Sequence, residues 1–86
     1  MAMYKQLTAT AQVKTIAGKV AGIFVSSGTP TIAVYDSDKA SASDPKVIDT
    51  FTAVAATGYM FPNMIATNKG IYVVIGGSGS LTFIYE

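Results

Sequence analysis

The amino-acid sequence predicts an all-β protein, a small antiparallel β-sandwich or jelly-roll-like barrel of seven to eight short strands. Three observations carry that expectation. Val and Ile supply eight residues each and Thr ten, so 26 of the 86 residues are β-branched. Such side chains lose rotamer freedom in a helix and fit a pleated surface. The straight-chain helix formers are scarce, with two Leu, two Gln, one Glu and no Arg. Turn signals recur at intervals of about eight to twelve residues, which leaves room for short strands and little else.

The elements follow in order. Met3 to Thr8 is an extended arm or an edge strand, and residues 1–9 together allow an N-terminal arm. Thr10 to Lys14 is the first clear strand and Lys19 to Ser26 the second. Ser27-Gly28-Thr29-Pro30 turns the chain, since Gly permits positive φ and Pro fixes it. Thr31 to Tyr35 is a strand, Asp36 to Pro45 a polar loop, and Lys46 to Val54 a further strand. Ala55 to Gly58 turns into the short strand Tyr59 to Phe61, which Pro62-Asn63 stops. Met64 to Thr67 pairs briefly if at all. Lys69 to Ile75 and Leu81 to Tyr85 close the chain on either side of Gly76-Gly77-Ser78-Gly79-Ser80. The expectation is one domain over residues 1–86, without an internal repeat. Its expected core is Ile23, Val25, Ile32, Val34, Phe51, Ile71, Val73, Ile75, Leu81 and Phe83.

Two hairpins fit on paper. A fold at residues 76–80 sets Ile75 against Leu81, Val73 against Phe83 and Ile71 against Tyr85. The other face then pairs Val74 with Thr82 and Tyr72 with Ile84. A fold at residues 27–30 sets Val25 against Ile32 and Ile23 against Val34, with Tyr35 laid over Gly22 and Phe24 beside Ala33. The second faces are unusual, because a small antiparallel sheet normally turns a polar face to water. Phe24, Tyr35, Tyr72, Val74 and Ile84 are either scattered surface hydrophobes or a patch covered by another chain. Low charge and high hydropathy favour the covered patch. Met60 and Phe61, in the bulky run Tyr59 to Met64, are either a further contact surface or a plug at one end of the sandwich.

Composition narrows the function. Half the residues are apolar, 13% are charged and the net charge is +1. Disordered chains need the opposite balance, and a protein built to grip nucleic acid by its backbone needs more positive charge. The chain lacks Cys and His, so thiolate chemistry and the commonest general base are absent. The longest strongly apolar runs span five or six residues, against about 20 for a membrane helix. The opening residues lack the apolar stretch of a signal peptide.

Four motifs invite chemistry and yield to plainer readings. Asp36, Asp38 and Asp44 suggest calcium, but an EF-hand count from Asp36 fails at Ala40, Ser41 and Val47. A loop capping its own backbone fits better. Asp49-Thr50-Phe51 lacks the Gly of an aspartic-protease loop and lies in a β-rich run. Gly76 to Ser80 precedes a strand rather than the helix N-terminus a phosphate loop needs. Lys69 to Val73 holds one Tyr among Ile and Val, which reads as core strand rather than a base-stacking platform. No catalytic group, cofactor, metal site or small-molecule substrate is therefore expected.

Two runs carry a resemblance. Val20-Ala21-Gly22-Ile23-Phe24-Val25-Ser26-Ser27-Gly28-Thr29-Pro30-Thr31-Ile32-Ala33-Val34-Tyr35-Asp36 is one. Gly70-Ile71-Tyr72-Val73-Val74-Ile75-Gly76-Gly77, followed by Ser80-Leu81-Thr82-Phe83-Ile84-Tyr85, is the other. Together they resemble small β-sandwich virion proteins of tailed bacteriophages, of the head decoration or cement type, over about residues 19 to 86. The resemblance implies a non-enzymatic structural protein, made in the host cytoplasm and placed on the outer surface of the phage head. It implies a homo-oligomer, most plausibly a trimer, that binds the major capsid protein and stabilises the shell. It brings no site residues with it. A tail, fibre or other recognition module is the alternative, and a small nucleic-acid-binding β-barrel a more distant one.

Overall fold

A computed structural model describes residues 3–86. The strands are β1 (Met3–Leu7), β2 (Ala11–Lys14), β3 (Lys19–Gly28), β4 (Thr31–Tyr35), β5 (Lys46–Thr52), β6 (Thr57–Ala66), β7 (Ile71–Gly76) and β8 (Gly79–Tyr85). They form two four-stranded sheets, ordered β1-β8-β3-β6 and β2-β7-β4-β5, with every ladder antiparallel. Residues 3–7 are thus an edge strand rather than a free arm; Met1 and Ala2 lie outside the described residues.

The pairing is nested. β4 pairs β5, β3 pairs β6, β2 pairs β7 and β1 pairs β8, as if the chain were doubled back at its middle and then rolled. The β3–β8 and β4–β7 ladders weld these ribbons into two sheets. This is the strand order of an eight-stranded jelly roll. Only the connection from β4 to β5 stays within a sheet; the other six cross between the sheets.

Both expected hairpins are therefore wrong. β3 and β4 lie in opposite sheets, and so do β7 and β8. Val25 is registered with Leu81 and Thr57, and Ile32 with Ile75 and Phe51. Period-2 alternation fixes which residues face inward, and inward residues meet whether their strands are neighbours or stacked. The turns decide between the two. Gly28 and Gly77 both hold φ at 77°, and Gly28 is registered directly against Gly79. A Cβ on Gly28 would lie 2.7 Å from the Gly79 Cα. The two turns pack on each other, and each sends its chain across the sandwich.

The core lies between the sheets. Val20, Ile23, Val25, Ile32, Val34, Ile71, Val73 and Phe83 have no exposed surface, and Leu81 has almost none. Eight of the ten expected core residues are in this set; Phe51 and Ile75 sit at its margin, partly buried. The two pieces expected around Pro62 form one strand, β6. A bulge interrupts it: the step from Val20 to Gly22 on β3 matches the step from Met60 to Ile65 on β6. Met64 takes φ 50° there. Pro62 is tolerated because β6 is an edge strand.

Candidate protein-contact face

The outer face of the β1-β8-β3-β6 sheet is built from two rows of side chains. Ile23, Val25, Leu81 and Phe83 point inward, so the alternate residues must point out. One row runs Tyr4, Ile84, Gly22, Met60 across the four strands. The next runs Gln6, Thr82, Phe24, Gly58. No residue of either row is charged. Tyr4 is 74% exposed, Met60 54% and Phe24 40%, with Ile84 partly buried between them.

Glycine makes the face flat. The Met60 sulfur lies 2.6 Å from where a Cβ on Gly22 would sit, so Gly22 is buried beneath it. The Met60 methyl and the Phe24 ring flank the corresponding point above Gly58, at 3.4 and 3.6 Å. The expected cover over Gly22 was Tyr35; the cover is Met60, because Tyr35 belongs to the other sheet.

The opposite outer face has a different character. Tyr35 is 8% exposed, its ring tilted against Tyr72 at 6.0 Å between centroids. The Lys46 ammonium sits 5.7 Å over the Tyr35 ring and 2.9 Å from an Asp49 carboxylate oxygen. Asp49 draws the Lys46 pKa up, against the opposing effect of burial. Val74 is half-buried beside Ala33.

The single patch expected from Phe24, Tyr35, Tyr72, Val74 and Ile84 is thus split. Phe24 and Ile84 lie on one outer face with Met60, while Tyr35, Tyr72 and Val74 lie on the other. The false hairpins had merged the two. Alternation splits the run Tyr59 to Phe61 between the two sides of the sheet. Tyr59 and Phe61 pack against the core, Tyr59 edge-on to Phe51 at 5.1 Å, while Met60 faces out. Sequence reasoning left Tyr4 out of the patch, because only the β1–β8 register brings it beside Ile84.

The loop between β4 and β5 closes one end of the sandwich. Asp36 accepts the backbone N–H groups of Asn68 at 2.9 Å, Lys69 at 2.8 Å and Gly70 at 3.3 Å. Ser37, fully buried, accepts from the N–H groups of Lys39 and Ser41. The Gln12 amide donates to the Ser37 and Ile71 carbonyls, and its oxygen accepts from the Ala40 N–H. The loop caps backbone, as its composition suggested, but the backbone Asp36 caps belongs to a different loop. Among the described residues, no three His, Cys, Asp or Glu side chains converge.

Fold and face together define a class, a small jelly-roll sandwich that exposes one flat, uncharged, apolar sheet face. No protein-family model, curated protein or solved structure matches the chain.

Proposed function

We propose that this protein is a non-enzymatic structural component of a virus particle, a cement protein that binds the outer head lattice as a homo-oligomer. The observation that carries the proposal is the uncharged outer face of Tyr4, Phe24, Met60 and Ile84. Contiguous exposed apolar surface on a small soluble protein marks a place where another protein sits. Burying it gains roughly 25 cal/mol per Å² of apolar area. With no charged group in the two rows, little desolvation opposes that gain.

Three further points support the reading. A domain this small buries only about 60–65% of its unfolded surface, so association adds to a thin core. Eight-stranded jelly rolls are a recurrent architecture of viral capsid proteins, which is support by fold analogy alone. The likeness of residues 19 to 86 to phage decoration proteins points the same way. A trimer is the assembly that likeness implies.

Two measurements test the proposal. Native mass spectrometry of the purified protein is expected to give a trimer, and Phe24→Asp or Met60→Asp to give monomers that still unfold cooperatively. A wild-type monomer at every concentration overturns the oligomer. Assembly untouched by both substitutions removes this face from it. Shells assembled without the protein are expected to take it up saturably, in fixed ratio to the capsid protein, and to resist heat better afterwards. Absence of uptake overturns the cement role, and recovery of the protein in the tail assigns it there instead.

A further inference from the structure

Sheet edges invite other strands, and folded proteins blunt them with bulges, proline, shortness or charge. The edges here are β1 and β6 in one sheet and β2 and β5 in the other. β6 carries Pro62 and a wide bulge. β2 has four residues and a register shift between Gln12 and Lys14. β5 shifts register twice against β4. β1 has neither proline nor bulge; what guards it is its shortness and the single charge of Lys5. Its five residues pair with β8 in unbroken register, from Met3 against Tyr85 to Leu7 against Leu81.

The other edge of β1 is open. Among the described residues its backbone bonds only to β8. Both of its faces are open too, since Met3, Tyr4, Lys5 and Gln6 are exposed and only Leu7 is buried. A strand laid alongside would therefore meet no obstruction above or below the sheet.

The side chains state what that strand must carry. Lys5 is the one charge on β1, at its centre, and it makes no ion pair among the described residues. A second β1 paired antiparallel about that centre would set Lys5 against Lys5, which destabilises a sheet. A carboxylate opposite Lys5 is stabilising, and an aromatic or β-branched residue beside it would fall opposite Tyr4. We infer that the free edge of β1 is a strand-accepting site for an extended acidic segment of another protein. The segment adds as the fifth strand of this sheet. Main-chain hydrogen bonds supply the affinity, and Lys5 and Tyr4 supply the choice of sequence. The inference holds whatever particle or complex the other protein belongs to.

The probe is a synthetic hexapeptide of alternating Val and Thr with one central Asp, set against the same peptide with a central Lys. Chemical shifts and amide exchange of the whole protein are followed at millimolar peptide. The Asp peptide is expected to perturb β1 saturably and to slow exchange of its outward amides. It is expected to bind about five- to tenfold more tightly than the Lys peptide. Lys5→Glu, at an exposed position, is expected to reverse that order while leaving the thermal transition intact. Absence of saturable change on β1, or an order that Lys5→Glu leaves as it was, overturns the inference. Self-association through β1 that Lys5→Glu does not alter also overturns it, since the occupant is then a second copy.

Discussion

Asp36 ties two loops together with one side chain. Burial pushes its pKa up, but three N–H bonds and the Lys69 ammonium together outweigh that and hold it below 3.8. The folded carboxylate therefore gives up its proton more readily than the unfolded one. Stability from this group is complete above the unfolded value and is lost as pH falls through the lower folded value. Asp44 and Asp49 are lowered as well and add to the same acid limb. Thermal melts across acidic pH are expected to show a steeper fall in the wild type than in Asp36→Asn, which lacks the titrating group. Parallel curves would mean that the clasp does not form in solution. Gly28 makes a second demand at this scale. Its φ of 77° and its approach to Gly79 leave no room for a Cβ. Gly28→Ala is expected to cost about 1–3 kcal/mol in denaturant unfolding, the usual cost of a left-handed non-glycine residue.

The strands differ in how firmly they are held. β3, β8, β4 and β7 have a neighbour on each side, while β1, β2, β5 and β6 are edges. β1 is the most exposed of these edges, with one ladder and four of its five residues exposed. Local opening follows such differences, because weakly packed elements open without the whole domain unfolding. Native-state hydrogen exchange should therefore be slowest in the four inner strands and fastest, among strands, in β1. Protection of β1 equal to that of β8 in the isolated chain would contradict this order. The bulge in β6 works at the same scale. It lets a strand containing Pro62 remain in the sheet, and it keeps Met60 facing out above Gly22.

The whole molecule is a thin slab, its Cα atoms spanning 30 by 27 by 18 Å. Two sheets about 10 Å apart leave one layer of interlocking side chains between them. Phe83 is the largest side chain buried completely in that layer. Truncation to Ala is expected to cost about 3–5 kcal/mol through lost transfer energy and the cavity left behind. A small domain has about 5–15 kcal/mol in total, so Phe83→Ala should unfold at or near room temperature. A shift of only a few degrees in melting temperature would mean that the sheets close over the gap. The broad faces of the slab bear on function. A standard interface covers about 800 Å² per partner, close to the whole of one 30 by 27 Å face. An apolar centre there matches an interface core in scale rather than a pocket for a small molecule.

The sequence by itself determined the class of fold, the strands and most of the core. Ile23, Val25, Ile71, Val73 and Phe83 are inward because alternation and β-branched content leave them no other place. It also marked Phe24 and Ile84 as apolar residues facing out, while Met60 stayed open between a contact surface and a plug. Only the tertiary structure decided which strands are neighbours. Short polar turns at Ser27–Pro30 and Gly76–Ser80 suit a hairpin and a crossover equally well in composition, and both place the same residues in the core. The choice came from contacts distant in sequence: Gly28 against Gly79, and β8 filling the slot beside β3 that β4 was expected to take. That choice separated Tyr35, Tyr72 and Val74 from Phe24 and Ile84, and it brought Tyr4 to Ile84 across almost the full length of the chain. Alternation is a local property and can be read along the chain. Pairing is set by which distant strand completes the sheet, and no local pattern encodes it.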